Sequence, residues 1–127
     1  HPAITWKAII SEVKWIEKGE GVGYDFTEKT GRKTKLAVIP VGYWHGYPRA
    51  LSVIGRVSIH NKLAKVLGRV SMDMITVDVT NIKNVMVGDE AILVGGQVKA
   101  DEVAKWAQTT HYEIITRLNP LIKRIYV

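Results

Sequence analysis

The sequence predicts a mainly β domain, an antiparallel and Greek-key-like β-barrel with one short α-helix near residues 101–108. Three observations support this fold class. Apolar and polar residues alternate with a period of two along much of the chain, which is typical of strands with one buried face. The strand candidates recur at intervals of about 8–12 residues, with Gly, Pro and Asn between them, as in sandwiches and barrels. A helical pattern stands out in one segment only.

The first half of the chain contains four strand candidates. They are residues 4–10, 13–15, 36–41 and 53–59. In the first two, apolar residues alternate with mostly polar ones, and the apolar face changes between Ile10 and Val13. The third is a short apolar run of strand type, and Gly55 interrupts the fourth with a turn or a bulge.

The second half contains further strands and the helix. The strand candidates are residues 63–70, 74–80, 91–94, 112–118 and 122–127. His60-Asn61 predicts the hairpin turn before the first of these, and Gly95-Gly96 predicts the end of the third. Residues 101–108 are predicted to form the helix, because the apolar residues 103, 104, 106 and 107 can share one face, with Glu102 and Lys105 outward. The acidic start also suits a helix N-terminus.

Length and composition indicate one globular domain. The chain has 127 residues, of which 46% are hydrophobic and 24% charged, and it has no cysteine, which excludes a disulfide scaffold and a cysteine-ligated metal site. No apolar run approaches the ~20 residues that span a bilayer, and no secretory leader opens the chain. We therefore expect a cytoplasmic protein with no membrane partner. The first residue is histidine, which suggests a piece of a longer protein, or a processed or engineered start.

The net charge of +6 invites a nucleic-acid interpretation, because clustered cations bind phosphates. Here the cations are scattered along the chain, and only residues 32–35 form a cluster, after Gly31. We interpret that cluster as a solvated turn and expect no nucleic-acid partner. An acidic neighbouring domain or a small anionic ligand would explain the same charge.

Two familiar kinds of site are not supported by the sequence. Residues 19–24 are glycine-rich, but Tyr24 stands where a dinucleotide-binding loop needs its last glycine, and no strand-turn-helix context is evident. The four histidines show no short metal-ligand spacing with carboxylates, so we expect no metal.

Three segments carry residues that are unusual for a sheet, namely 21–26, 40–52 and 70–74. The first two place aromatic residues between glycines, which brings rings and backbone close to another group. That group is either a ligand or the core of the domain itself, and composition alone favours packing.

These segments belong to a longer series of motifs. The series reads IPVGYWHGYPRALS, GRVSMDMITVDVT, VGDEAILVG, ADEVAKWAQTTHYEIITRL and RIYV. In this order, over essentially the whole chain, it resembles the C-terminal domain of alanine racemase. The resemblance implies a β domain over residues 1–127 that packs against an N-terminal (β/α)₈ barrel, which is absent from this chain. That barrel would bind pyridoxal 5'-phosphate through a lysine, so we expect little or no cofactor on this chain alone.

The resemblance also implies an activity and partners. The full-length protein would be a homodimer that interconverts L-alanine and D-alanine, a precursor of peptidoglycan. Its β domain would reach into the active site of the partner subunit in a head-to-tail arrangement. The isolated domain is expected to be inactive.

Five residues carry the functional motifs by this resemblance. Tyr24 matches the catalytic tyrosine that takes the α-proton from L-alanine, and Tyr43 matches a tyrosine at the substrate entrance. Met72 matches the residue whose backbone contacts the substrate carboxylate, and Asp73 matches its acidic neighbour in the entrance corridor. Tyr112 matches a tyrosine that hydrogen-bonds the cofactor phosphate. Packing roles for Tyr43, Met72 and Tyr112 remain alternatives.

Several positions depart from the family's usual pattern. The usual GYADG reads GYWHG, with Trp44 for a small residue and His45 for an acid, and Asp25 stands for a glycine after Tyr24. Ser71 replaces a common cysteine, and Leu121 a common arginine.

Three other functions are weighed against the racemase interpretation. A related pyridoxal-phosphate amino-acid decarboxylase would typically use a β-domain cysteine, which this chain lacks. A basic β-barrel that binds nucleic acid would need a basic and aromatic stripe. An interaction module without catalysis would not need Tyr24 and Met72.

Overall fold

The computed structural model describes residues 4–22, 28–109 and 111–123. Within this part of the chain, strands dominate and two short helices follow near the end. The strands are β1 (Trp6–Ile9), β2 (Glu12–Ile16), β3 (Gly21–Val22), β4 (Glu28–Lys29), β5 (Thr34–Ile39), β6 (Arg56–Ile59), β7 (Lys62–Leu67), β8 (Ile75–Asp78) and β9 (Glu90–Val94), and the helices are α1 (Ala100–Trp106) and α2 (His111–Thr116).

Seven strands form one antiparallel sheet in the order β1-β9-β6-β7-β8-β5-β2. The outermost strands, β1 and β2, are joined by only Ile10 and Ser11. The N–H of Ile10 donates to the carbonyl of Asp89, beside β9, and the N–H of Ser11 donates to that of Val38 in β5, both at 2.9 Å. Consecutive residues therefore bond to opposite ends of the strand order, so the sheet curls on itself. The predicted antiparallel barrel architecture is confirmed.

The apolar side chains of the period-two pattern fill the inside of this curled sheet. In β8, Ile75 and Val77 are fully buried, whereas Thr76 and Asp78 alternate with them and are half-buried. The same inner face continues across the sheet and includes, among others, Ile39, Val57, Ile59, Val66, Ala91 and Leu93. The sheet is therefore held by apolar burial, worth roughly 25 cal/mol per Å² of apolar surface.

Turn predictions succeed where the backbone needs a positive φ. His60 and Asn61 have φ of 52° and 62° between β6 and β7. Two such residues make the mirror-image turn that suits a two-residue hairpin. Gly95 and Gly96, with φ of 116° and 55°, end β9.

The helical prediction for residues 101–108 is confirmed by α1, but the predicted strand at 112–118 is wrong. That segment forms α2, which packs against α1. Tyr, Ile and Thr favour strands intrinsically. In α2, however, Ile114 is buried, and Leu118, four residues later and just beyond the helix, packs against the core. The Glu113 carboxylate also pairs with Arg117 one turn later, so tertiary packing and local pairing both favour the helix.

The predicted strand at 122–127 lies mostly outside the described residues. Its described part, Ile122 and Lys123, is not in a strand. No helix within the described ranges has the length and apolar character needed to cross a membrane.

The sheet register brings two loops to the same end of the barrel. The last residue of β5, Ile39, pairs with the first residue of β8, Ile75. The last residue of β7, Leu67, pairs with Thr76, next to Ile75. The loop that leaves β5 (residues 40–55) therefore begins beside the point at which the loop that joins β7 to β8 (residues 68–74) ends.

Candidate functional site

Two backbone hydrogen bonds join the loop after β5 to the loop before β8. The N–H of Tyr43 donates to the carbonyl of Ser71 at 3.0 Å, and the N–H of Trp44 donates to that of Met72 at 2.9 Å. These contacts bring Tyr43, Met72 and Asp73 together, although their motifs are about thirty positions apart in the sequence. We refer to residues 42–46 and 71–73 as the Tyr43–Met72 edge.

Gly42 allows this close approach. A Cβ atom at this position would lie 2.2 Å from the carbonyl oxygen of Ser71 and 2.5 Å from that of Met72. Both neighbours are backbone atoms that are already held by hydrogen bonds. The position therefore requires glycine, because any larger residue would push the two loops apart.

The two tyrosines of the first loop have opposite environments. The Tyr43 side chain is 44% exposed, and its neighbours Trp44 and Met72 are 47% and 51% exposed. Tyr47 is 1% exposed and packs its ring against Trp6 in the core, with 6.2 Å between the ring centroids. Tyr47 therefore serves packing, whereas Tyr43 remains open to a ligand or another protein surface.

The second loop is fixed by its own short hydrogen bonds. The Ser71 hydroxyl donates to the carbonyl of Met74 at 2.9 Å and accepts from the Met74 N–H at 3.0 Å. Within the described part of the chain, the backbone N–H of Met72 has no hydrogen-bond acceptor. It is therefore a donor held in a fixed loop and available to an external acceptor such as a carboxylate.

A cleft of about 580 Å³ lies beside Tyr43. The Arg49 guanidinium lies over the Tyr43 ring, 5.3 Å from its centroid, an arrangement in which the cation is attracted to the ring face. The rest of the lining comes from the residues that follow α1, from α2 and from the residue after it, and includes Glu113 and Arg117. The cleft therefore has an aromatic side with a cation and a helical side with an ion pair.

A second cleft, of about 520 Å³, lies on the Asp73 side of the loop before β8. Its lining contains both signs of charge, from Glu12, Lys14, Arg69 and Asp73, together with apolar residues of β5. Asp73 therefore lines a cleft in which charges of both signs adjoin apolar side chains.

Two of the five residues singled out by sequence cannot be placed in this site. Tyr24 lies outside the described residues, in the segment that connects β3 to β4. Tyr112 is in the first turn of α2, and its side chain also lies outside the described residues. The structure therefore brings together Tyr43, Met72 and Asp73, and places α2 beside them.

Sequence reasoning missed two residues that shape the edge. Arg49 contacts Tyr43, and Asn119 donates its backbone N–H to the carbonyl of His45 at 3.1 Å and its side-chain amide to that of Trp44 at 2.9 Å. Arg49 lies inside the aromatic-glycine motif, so its position was a usable signal. No sequence pattern identifies Asn119, because only the tertiary fold brings it to the edge.

No group of histidine and acidic residues in the described ranges is arranged to hold a metal ion. The buried Tyr47 hydroxyl has no hydrogen-bond partner among these residues. Burial raises the pKa of Tyr47 well above its ordinary value, and Arg56 only partly opposes the shift.

We expect Tyr47→Phe to leave the free energy of unfolding at neutral pH unchanged or to raise it by about 1 kcal/mol, because an unpaired buried hydroxyl is costly. Above a pH of about 10 the unfolded phenol ionises, whereas burial keeps the folded one neutral. The stability of the wild type should therefore fall more steeply at alkaline pH than that of the variant. Urea unfolding at neutral and alkaline pH measures both effects, and parallel pH profiles would contradict the burial argument.

Comparison with known proteins relates most of the chain to one group of proteins. Residues 3–126 match the family model described as the C-terminal domain of alanine racemase. The alanine racemase of Halothermothrix orenii is 43% identical over 129 residues, which cover 98% of this chain and 34% of that protein. The alanine racemase of Alteromonas mediterranea is 45% identical over 125 residues, which cover 98% of this chain and 35% of that protein.

Solved structures show the same similarity. The biosynthetic alanine racemase from Pseudomonas aeruginosa superposes with a TM-score of 0.94 at 32% identity, over 99% of this chain and 35% of that one. The alanine racemase from Bartonella henselae with covalently bound pyridoxal phosphate gives a TM-score of 0.93 at 34% identity, over 97% and 34%. The chain spans about a third of the length of the curated relatives it matches.

Proposed function

Since the chain belongs to the family of alanine racemase C-terminal domains, we propose that it completes the active site of an enzyme that interconverts L-alanine and D-alanine. The observation that carries this proposal is the match over residues 3–126, which includes every motif of the Tyr43–Met72 edge. The rest of the enzyme, including the cofactor-binding (β/α)₈ barrel, would be contributed by an N-terminal domain outside this chain.

The edge suits one wall of a pocket for pyridoxal phosphate. Such a pocket needs a lysine for the aldehyde and polar partners for the rest of the cofactor. Three polar groups lie along one open edge: the half-exposed Tyr43 phenol, the Arg49 guanidinium and the Met72 N–H. No described lysine lines the adjoining cleft. We assign the lysine to the N-terminal domain. When bound, the cofactor would supply the electron sink that makes the α-carbanion accessible.

Tyr24 is assigned as the base that exchanges a proton with the α-carbon on the L face, opposite a lysine on the D face. Racemisation requires a proton to leave one face of that carbon and return on the other, so two groups must flank it. A free phenol has a pKa of about 10 and is a poor base at neutral pH, so its placement beside the α-carbon matters most. The support for Tyr24 is its GVGYDF motif, which lies within the matched residues.

The remaining residues are assigned to binding. The unpaired N–H of Met72 would donate to the substrate carboxylate, which places the α-carbon relative to the two bases. Tyr43 and Asp73 would line the entrance, and Tyr112 would contact the cofactor phosphate from α2. Support for Tyr43 and Met72 comes from their exposure and from the two backbone hydrogen bonds that join their loops, and support for Tyr112 from the position of α2 beside the same cleft.

The exposed edge also suggests how subunits would assemble. Tyr43, Trp44, Met72 and Met74 are large apolar side chains that are each more than two-fifths exposed. We infer that a second subunit covers them in a head-to-tail homodimer, so that this edge serves the partner's active site. We further infer a cytoplasmic enzyme that supplies D-alanine for peptidoglycan.

A chimera tests the proposed function. The C-terminal third of the Halothermothrix orenii alanine racemase would be replaced by residues 1–127, and alanine racemisation would be measured beside the parent enzyme. We expect activity in the chimera and none in the 127-residue chain alone, because the assigned lysine lies elsewhere. A folded chimera that binds pyridoxal phosphate but does not racemise alanine would contradict the proposal. Activity of the chain alone would contradict the division of labour.

A further inference from the structure

His45 and Gly42 form a reciprocal pair of hydrogen bonds at the base of the Tyr43 turn. The His45 N–H donates to the carbonyl of Gly42 at 3.0 Å, and the Gly42 N–H donates to Nδ1 of the His45 ring at 3.0 Å. The ring thus caps the single 3₁₀ turn of Tyr43–His45. The capped residue, Gly42, is the same residue that has to fit against Ser71 and Met72.

We propose that His45 is a positioning residue whose neutral ring holds this cap, so that the Tyr43–Met72 edge is ordered while Nδ1 carries no proton and loosens once Nδ1 is protonated. The inference rests on the proposed function for its effect on catalysis, but its structural part concerns this chain alone.

The proposal follows from the chemistry of the imidazole ring. Nδ1 can accept the Gly42 N–H only while it carries no proton, and in the imidazolium form both ring nitrogens are donors. A protonated His45 would therefore place two donors against each other. Histidine is the side chain whose charge ordinarily changes between pH 5 and 8. Protonation of Nδ1 should therefore abolish the cap, because a proton on Nδ1 is compatible only with the uncapped turn.

The turn connects three segments, so loss of the cap would affect the whole Tyr43–Met72 edge. Its other bonds run from Tyr43 and Trp44 to the loop before β8, and from Asn119 to the carbonyls of Trp44 and His45. The Trp44 ring also meets the His45 ring edge to face, with 4.9 Å between centroids. A change at the ring therefore acts on the backbone that sets the position of Tyr43.

Charged groups on the packed segments do not neutralise a protonated ring. These groups are Arg49 on the same loop, Asp73 on the loop before β8, and Glu113 and Arg117 on and after α2. Arg49 lies over Tyr43, and Arg117 pairs with Glu113. In the described ranges no carboxylate forms an ion pair with His45. The protonated form therefore gains no partner here that would preserve the cap.

The first test uses the 127-residue chain and nuclear magnetic resonance. In the wild type, we expect the Gly42 amide resonance to move as the pH is lowered from 8 to 5, the range over which a histidine ordinarily changes charge. Its protection from hydrogen exchange, relative to the intrinsic rate, should fall about fivefold, as expected for one hydrogen bond. A Gly42 resonance and a Gly42 protection that do not change over this pH range would overturn the proposal.

His45→Asn is the matched control variant. Asn Oδ1 and His Nδ1 are both bonded to Cγ, so the amide oxygen can cap Gly42 from the same distance along the side chain, and it does not titrate. The variant should keep the Gly42 protection at both ends of the pH range. The other histidines, including His60 with its bond to Asp89, are unchanged and cancel in the comparison.

The second test uses the cofactor-loaded chimera. We expect kcat/KM for alanine to fall on acidification by about fivefold more in the wild type than in His45→Asn, the equivalent of one hydrogen bond. Identical pH profiles would overturn the catalytic part of the proposal. A chimera that is inactive at every pH would count against the proposed function instead, while the resonance and exchange data would still decide whether His45 is a pH-dependent cap.

Discussion

Tyr24→Phe in the cofactor-loaded chimera is expected to lower kcat for alanine racemisation by roughly 10²–10⁴-fold, the usual contribution of one positioned general base. The phenylalanine ring keeps the shape of the side chain and removes only the hydroxyl that would exchange the proton. The KM for alanine should change much less, because the substrate carboxylate is assigned to Met72. Steady-state kinetics in both directions measure the two parameters.

Tyr47→Phe is the matched control for this variant. It removes the same hydroxyl from a tyrosine of the core, where the ring packs on Trp6. Its kcat should stay within a few-fold of the wild type, since a buried packing residue does not touch the substrate. Equal losses of kcat in the two variants, or none in Tyr24→Phe, would contradict the assignment of Tyr24.

Gly42→Ala is expected to have the largest effect among substitutions in the described part of the Tyr43–Met72 edge. The new methyl group would lie 2.2 Å from the Ser71 oxygen and 2.5 Å from the Met72 oxygen, so one loop would have to move. Forcing a methyl group into such a packed contact costs about 3 kcal/mol of unfolding free energy. Displacement of Met72 should also weaken alanine binding in the chimera, because its N–H would no longer meet the carboxylate.

Gly31→Ala is the control for this substitution. A Cβ at Gly31 has no neighbour within 4 Å, and this glycine does not have a positive φ. We expect Gly31→Ala to change the unfolding free energy by less than about 1 kcal/mol. Urea unfolding of both variants makes the comparison, and a Gly42→Ala variant as stable as Gly31→Ala would show that the two loops are not held as described.

The barrel could be predicted because the alternation of apolar and polar residues is a local feature of the sequence. Strands with one buried face alternate in sequence, and β8 does so at each of its four residues. The turn at His60-Asn61 and the end of β9 at Gly95-Gly96 were predictable from residues that accept a positive φ. The segment at 112–118 was not, because its Tyr, Ile and Thr favour a strand. Packing of Ile114 and Leu118 on the core stabilises the helix instead.

The site could be predicted only in part, for a similar reason. Family motifs singled out Tyr43, Met72 and Asp73, and the register of β5, β7 and β8 brings them to one edge. The cap between Gly42 and His45 lay within one motif, but its meaning depends on a ring geometry that sequence does not specify. Asn119 contacts the edge through the fold alone, so no pattern along the chain could have identified it.

The most direct measurement is α-hydrogen exchange with deuterated solvent, followed separately for L-alanine and D-alanine in the Tyr24→Phe chimera. If this chain places a phenol against the L face of a substrate held by another domain, exchange from L-alanine should be suppressed far more than exchange from D-alanine. Equal suppression for the two enantiomers, or unaltered exchange from L-alanine, would contradict that placement.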